Sequence, residues 1–270
     1  MRRVGDLAFF HRTRPARSAL TLVDEQRPKR APLGFSKLLD GALGAYRRRF
    51  GLYLLVALGA FALQLIAMPF ARYEAVDAHV WVAILVTSLA DAFVIGVVCI
   101  GVARDAAAEE TSPAAILSTA LERLWAIFIV EVLVQVLEAM LIPAFTSLEG
   151  SYYGLLVAPA ALFYGALQSA VVIASIDPDA QSGLIIAKSI GRSFFLSLTG
   201  GNIGRTALIG LIAIAPARLE FVLIDLLHAR HIAHPTFWGN VPVDMLVVGP
   251  LSALVAIFYL DLVKRAKAAG

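Results

Sequence analysis

Six long apolar stretches constrain this chain more than any other feature. Each contains about 20 to 25 residues, the length that an α-helix needs to cross a hydrocarbon core of about 30 Å. Hydrophobic residues make up 59% of the 270 residues and charged residues only 16%, so a soluble core could not bury this much apolar surface. We therefore predict an all-α, polytopic membrane helix bundle with six transmembrane helices, at about 51–70, 80–103, 124–148, 154–176, 203–227 and 243–262.

Lys and Arg are distributed unequally between the two sets of loops that these spans create. Residues 1–50 carry 12 of the 23, and 8 more lie in the segments 104–123, 177–205 and 263–270. The opposite loops hold only Arg72 and Arg230. Because cytoplasmic loops are enriched in basic residues, this distribution predicts a multi-pass protein of the bacterial plasma (inner) membrane with both termini in the cytoplasm.

Three regions follow from the same distribution. Residues 1–34 form a basic cytoplasmic tail rich in Arg and Pro, which we predict to be disordered; the alternative is a segment held against anionic lipid. Residues 35–263 form the six-span membrane domain. Residues 264–270 form a short basic cytoplasmic tail.

The six stretches fall into three similar pairs. In each pair the first apolar run reaches a proline (Pro69, Pro143 or Pro216), and a short polar gap separates that proline from the second run. All three pairs have the same orientation. The pattern predicts three parallel hairpin repeats, although any membrane hairpin resembles another to some degree.

An amphipathic stretch precedes the first run of each pair. Apolar residues recur at helical spacing over 35–46, over 116–124 and over 186–198, and basic residues such as Lys37 lie off the stripe. A helix of this kind lies in the headgroup plane with its apolar side towards the lipid. We therefore expect one interfacial amphipathic helix in each repeat.

Closely spaced glycines at 200–204 give two weak motif matches. The segment 200–206 departs from a phosphate-binding loop in its spacing and has Arg205 where that motif requires Lys. Gly200 and Gly204 have the spacing of a helix-dimer motif, but at the edge of a span. We interpret the segment as a helix junction, in which Gly200 and Gly201 end one helix and Asn202 caps the next.

Three short motifs resemble one protein family. They are the stretch 32–51 (PLGFSKLLDGALGAYRRRFG), the basic, serine-bearing stretch 187–195 and the closing stretch 258–265 (FYLDLVKR). The chain is similar through them to stand-alone bacterial membrane proteins related to the membrane domain of glycerophosphoryl diester phosphodiesterases. Leu260 and Val263 depart from the usual closing motif, which has an aromatic residue and an Arg there. The resemblance implies a membrane module without the hydrolase, since the chain has no room for the soluble catalytic barrel.

Ionisable and polar residues inside the apolar stretches form the first candidate site. Asp91 lies near the middle of the second span, Arg218 lies in the outer half of the fifth, and the third span carries Glu131, Gln135 and Glu138 along one helical stripe. Because a charge at the bilayer centre costs about 2.5–3.5 kcal/mol, these groups should face the bundle interior or a wet cavity. Arg218 could pair with Glu138 or Asp91. Two interpretations stay open: a polar network that orders the helices, or a path for protons or ions.

Histidines beyond the fifth span form a second, weaker candidate. His228, His231 and His234 have a spacing that would keep them within one broad helical face, and together with Asp77 and His79 they could bind Zn²⁺. Pro235 and Trp238 nearby are more typical of an ordinary interfacial loop. We therefore predict no metal and no cofactor.

The basic residues near the cytoplasmic surface form the third candidate, a site for lipid headgroups. Its predicted members are Lys37, Arg47, Arg48, Arg49, Lys188 and Arg192. The alternative is that they serve only to orient the protein in the membrane. No catalytic motif is evident, and the basic residues accompany no nucleic-acid-binding module.

These observations favour a non-enzymatic membrane protein. The predicted partner is membrane lipid, in particular anionic phospholipid, and the protein could also be a membrane subunit of an envelope or transport assembly. The alternative is a small transporter or channel that uses the intramembrane carboxylates and Arg218. A protein partner or homo-oligomer is left open by the sequence.

Overall fold

The computed structural model describes residues 32–67, 78–146, 152–177, 185–199 and 201–269. These residues form eight helices and contain no strand, which confirms the all-α prediction. The predicted N-terminal tail lies outside the described residues except for 32–34. The helices are α1 (Phe35–Arg48), α2 (Phe50–Ala67), α3 (Ala78–Ala106), α4 (Pro113–Thr146), α5 (Tyr152–Ile176), α6 (Ile185–Leu198), α7 (Ile203–Ala229) and α8 (Pro235–Ala269).

Several of these helices have the length and composition of membrane spans. Segments of α3, α5 and α8 qualify individually, at Ile84–Ala106, Val157–Ile176 and Phe237–Ala266. The number rises to five if α1 with α2, and α6 with α7, each count as one bent span. The membrane class is thus confirmed, and the number six stays a prediction.

Two short helices lead into longer ones at sharp bends. The chain turns by 81° between α1 and α2 and by 120° between α6 and α7. Arg49 interrupts the first pair with φ −120° and ψ 24°, and Gly201 lies in the second bend with φ +74°, a conformation that glycine adopts without strain. Short helices therefore stand before the predicted first and fifth spans.

The expectation at the third span was wrong, because α4 runs without interruption from Pro113 to Thr146. The predicted amphipathic stretch 116–124 forms its first turns. Glu122 and Arg123 stand where the other two pairs have the bend, and both are good helix formers. With no glycine or proline at this point, the sequence has nothing to break the helix.

Asn202 also behaves differently from the prediction. It occupies the N-cap position of α7, but its side chain makes no capping hydrogen bond. Its Nδ2 instead donates to the carbonyl oxygen of Leu196 in α6, at 3.0 Å. The amide therefore fastens the bend to the preceding helix rather than capping the following one.

The core is centred on α3, which packs against α2, α4, α5 and α8. A second close contact joins α5 and α7. A Cβ placed on Gly165 would overlap the carbonyl oxygen of Thr206, and one on Gly210 would overlap that of Ala161. Small residues let the two backbones approach, which is how membrane helices gain packing contacts where lipid offers no hydrophobic driving force.

Candidate functional site

Four polar side chains meet in the interior of the bundle. Gln64 of α2 donates from Nε2 to Oδ1 of Asp91 at 3.2 Å, and Gln135 of α4 donates from Nε2 to Oδ2 of the same carboxylate at 3.1 Å. Gln135 also lies 3.4 Å from Oε1 of Glu131, one turn earlier on α4. Gln64, Asp91 and Glu131 are all buried. The structure thus brings three predicted site residues together and adds Gln64; we call these four residues the polar core.

A small cavity adjoins the polar core. It measures about 10 Å³ and lies between Asp91 of α3 and Asp244 of α8, with Gln64 also lining it. A single water molecule needs about 10–15 Å³ on this scale, and ligand pockets are usually larger by an order of magnitude or more. Asp244 also shares a side-chain hydrogen bond with Glu220 of α7. Carboxyl groups therefore lie on both sides of a space that holds one water at most.

Two predicted members of the intramembrane site are not described at the side-chain level. Glu138 lies within α4 and Arg218 within α7, but their side chains are outside the described residues. The expected pairing of Arg218 with Glu138 or Asp91 therefore stays a prediction. Two glutamine amides are the donors to Asp91 among the bonds that the structure describes.

A set of arginine–aspartate contacts lies at one end of the bundle, which we call the collar end. In the first, Arg49 donates from Nε and Nη2 to Oδ1 of Asp105, at 2.9 and 2.6 Å, and from Nη1 to the carbonyl oxygen of Thr111 at 3.1 Å. The hydrogen bond to Asp105 raises the pKa of Arg49 above its usual range. This contact ties the α1–α2 bend to the end of α3.

A second contact ties α4 to the end of α5. Arg123 donates from Nη1 to the carbonyl oxygens of Ser175 and Asp177, both at 2.9 Å. The carboxylate of Asp177 in turn accepts from Arg192 of α6. Next to this ion pair, Ser193 of α6 donates to the carbonyl oxygen of Ala166 in α5.

A third contact ties the start of α7 to α8. Arg205 donates from Nη2 to Oδ2 of Asp261 at 2.9 Å and to the carbonyl oxygen of Leu33 at 3.0 Å. The guanidinium of Arg205 also lies 5.3 Å from the centre of the Phe258 ring. Arg265, one turn after Asp261 on α8, places its Nε 3.2 Å from the same Oδ2 atom.

The predicted headgroup residues divide into two groups. Lys37, Arg47, Arg48 and Lys188 are exposed, and we call them the exposed collar cations. Arg49 and Arg192 are half-buried and engaged with Asp105 and Asp177. The structure thus places four of the six where a headgroup can reach them and uses two to hold helices together.

The short helices α1 and α6 carry exposed apolar side chains. On α1, Leu38, Ala42 and Ala45 are buried, whereas Phe35, Leu39 and Leu43 remain 39–40% exposed and form what we call the apolar edge of α1. On α6 the serines at 189, 193 and 197 are buried, and Phe195 and Leu198 are exposed. Both helices therefore present apolar side chains next to exposed cations, the pattern of a helix at a membrane surface.

The three histidines do not share a helical face, which corrects the sequence prediction. His228 is in the last turn of α7, whereas His231 and His234 follow the helix and have φ of 55° and 54°. Because α7 ends at Ala229, helical spacing does not extend to the last two. Among the described residues no group of three His, Cys, Asp or Glu side chains is placed to hold a metal ion.

Several site residues were not found from the sequence. Asp244 lies at the start of the predicted sixth span, near Pro242, where it resembled a residue at the water boundary. Asp105 and Asp177 lie in predicted loops and Asp261 lies near the end of the predicted sixth span. No partner was assigned to them, because the arginines they contact are 54 to 56 residues away. The common separation in the three pairs is the signal that could have identified them.

Comparison with known proteins adds no relative from which a function could be transferred. The chain matches no protein-family model, no curated protein and no solved structure.

Proposed function

We propose that this chain is a six-span protein of a bacterial inner membrane that binds or organises anionic phospholipid and carries out no catalysis. The observation that carries the proposal is the outer surface of α1, where exposed Lys37, Arg47 and Arg48 accompany the apolar edge. Each basic residue near an anionic surface contributes about 1 kcal/mol of attraction, and an apolar helix face inserts at the boundary between headgroups and acyl chains. Both termini are then cytoplasmic, on the side where anionic lipid attracts basic segments.

The small size of the interior cavity supports this function over transport. A transporter or channel needs a path that water or substrate can occupy. Among the described residues, the space beside the polar core measures about 10 Å³, and two glutamine amides donate to the Asp91 carboxylate that lines it. A membrane module without hydrolase activity is also what the resemblance to the phosphodiesterase-linked family implies.

The collar contacts support the three parallel repeats. In each pair of predicted spans, an arginine at the start of the first span contacts an aspartate at the end of the second. The aspartate accepts through its carboxylate in two pairs and through its backbone carbonyl in the other. The separations are 56, 54 and 56 residues, for Arg49 with Asp105, Arg123 with Asp177 and Arg205 with Asp261. We infer three hairpins of one design, each fastened at the collar end, which gives six spans.

The lipid proposal is tested by extracting the full-length protein in native lipid nanoparticles and measuring the retained lipids by mass spectrometry. Replacing Lys37, Arg47 and Arg48 together by Gln should reduce the enrichment of anionic phospholipid by about a hundredfold, since three favourable charges of about 1 kcal/mol each are lost. Exchanging Lys for Arg and Arg for Lys at the same positions keeps the charge and should keep the enrichment. Unchanged enrichment in the Gln variant would contradict the proposal, and a stoichiometric co-purified protein would favour an assembly subunit.

A second candidate function is proton or cation movement through the interior. It is favoured by the carboxyl groups of Asp91 and Asp244, which line the cavity from α3 and α8. Proteoliposomes with an internal pH indicator would test it. Transport predicts a flux that Asp244→Asn abolishes and that Asp225→Asn, at an exposed position on α7, leaves intact.

A further inference from the structure

The third collar contact differs from the first in how its arginines are satisfied. In the first contact, all three guanidinium nitrogens of Arg49 have an acceptor. In the third, two guanidinium groups share one carboxylate, because Arg205 and Arg265 both approach Oδ2 of Asp261. The two arginines and one aspartate leave one positive charge in excess; the first contact has the same excess, but there the second arginine, Arg48, is 61% exposed to solvent.

Donor atoms at the third contact also lack acceptors. Nη1 of Arg205 and Nη2 of Arg265 are buried and have no hydrogen-bond partner among the described residues. The two side chains are only 21% and 15% exposed. A buried charged donor without an acceptor is costly, and most buried polar groups in proteins have a partner. The two half-buried guanidinium groups therefore have more N–H donors than the described residues around them have acceptors.

The chemistry of this cluster matches a phosphate group. Guanidinium groups bind phosphate through paired, charge-assisted hydrogen bonds, and a phosphate presents several oxygens to two arginines at once. Its negative charge would balance the excess charge of the cluster. Exposed apolar residues occur close to Arg205 in the sequence, namely Leu198 at the end of α6 and Ile203 and Leu208 in the first turns of α7, and they could contact acyl chains if the phosphate belonged to a lipid.

We propose that Arg205 and Arg265 form a phosphate-binding site at the junction of α7 and α8, with the headgroup of an anionic lipid as its source. The site deepens the proposed lipid function and rests on it for the choice of source. It differs from the predicted headgroup residues, because neither Arg205 nor Arg265 is an exposed collar cation. The site would bind a single phosphate between two arginines, whereas the exposed collar cations attract anionic lipid without a defined binding position.

The test is native mass spectrometry of the full-length protein in neutral detergent, titrated with dioctanoyl phosphatidylglycerol. We expect the wild type to bind one molecule with highest affinity, and Arg265→Gln to weaken that step by about tenfold because a charged hydrogen-bond donor is lost. Lys264→Gln is the matched control: it removes the same charge at the preceding position, where the side chain is exposed, and should change the affinity by less than about twofold. Equal weakening in the two variants, or no saturable step in the wild type, would overturn the site.

Two further measurements distinguish the remaining interpretations. Inorganic phosphate that displaces the lipid from the wild type but not from Arg265→Gln would support the site and assign it to a soluble anion. If Arg265→Gln does not fold, Arg265→Lys keeps the charge without the fork and should show intermediate affinity; wild-type affinity in Arg265→Lys would contradict a guanidinium site.

The same data distinguish failure of the site from failure of the lipid function. If Arg265→Gln keeps full preference for phosphatidylglycerol over phosphatidylcholine while the triple Gln variant at Lys37, Arg47 and Arg48 loses it, the lipid function stands and this site is wrong. If the wild type has no preference between the two lipids, both proposals are wrong.

Discussion

The collar end and the polar core both bury carboxylates, but they stabilise them with different partners. At the collar end, Asp105 and Asp261 accept from arginines, so a full positive charge faces each negative one. In the polar core, Asp91 accepts from two neutral glutamine amides. Among the described contacts, the collar end joins helices through arginine–aspartate pairs, whereas in the polar core the amides of Gln64 and Gln135 add directional hydrogen bonds from α2 and α4 to Asp91 of α3.

The largest loss of stability is expected where removing a carboxylate leaves a half-buried arginine without its ion-pair partner. Asp105→Ala would leave the Arg49 guanidinium, whose side chain is 17% exposed, facing only the Thr111 carbonyl oxygen. Breaking a buried ion pair from one side costs about 3–5 kcal/mol, and the residual exposure places this case near 3 kcal/mol. The free energy of unfolding, measured by denaturant titration in detergent micelles, should fall by that amount.

The control for this change is Glu109→Ala, at an exposed position just beyond the same helix end. It removes an identical charge without a described ion pair and should alter the free energy of unfolding by less than about 0.5 kcal/mol. Equal loss in both variants would mean that net charge, and not the contact of Arg49 with Asp105, stabilises the collar end.

A smaller loss of stability is expected in the polar core, because the two described donors that lose their acceptor are neutral amides. Asp91→Ala would leave the amides of Gln64 and Gln135 without their shared acceptor in a buried setting. Each unsatisfied neutral donor costs about 1 kcal/mol or slightly more, so we expect a loss of about 2 kcal/mol in the free energy of unfolding. Asp91→Asn retains one acceptor oxygen and should lose about half as much. A loss larger than that of Asp105→Ala would reverse the comparison between the two regions.

The class and most of the helix ends could be predicted because they depend on apolar length alone. The predicted span 154–176 matches α5 at Tyr152–Ile176, and 203–227 matches α7 at Ile203–Ala229. The sixth span was less well placed: α8 begins at Pro235, eight residues before the predicted start at 243. Proline is favoured in the first turn of a helix, so the polar residues before 243 continue α8 rather than forming a loop.

The contacts between helices could not be predicted from the local sequence pattern. The sequence predicts that the basic residues at the helix ends lie near one membrane surface, but their distribution contains no information on which of them pair. Arg49 and Arg192 therefore resembled free headgroup ligands until their aspartate partners were located. The close approach of α5 and α7 was missed for a related reason: Gly165 and Gly210 form no motif within a single helix, and only their meeting in space gives them a function.

The smallest loss of stability is expected for an exposed arginine of the collar end. Arg48 also approaches Asp105, with Nε 3.4 Å from Oδ2, but its side chain is 61% exposed. Exposed ion pairs contribute about 0–1 kcal/mol, so Arg48→Gln should lower the free energy of unfolding by no more than about 0.5 kcal/mol. Arg49→Gln, one residue further, should cost several times more, because it removes three hydrogen bonds in a half-buried position. Denaturant titration of the two variants side by side measures the difference. Similar losses in the two variants would mean that any nearby positive charge stabilises Asp105. The contact between the α1–α2 bend and α3 could then not be assigned to Arg49.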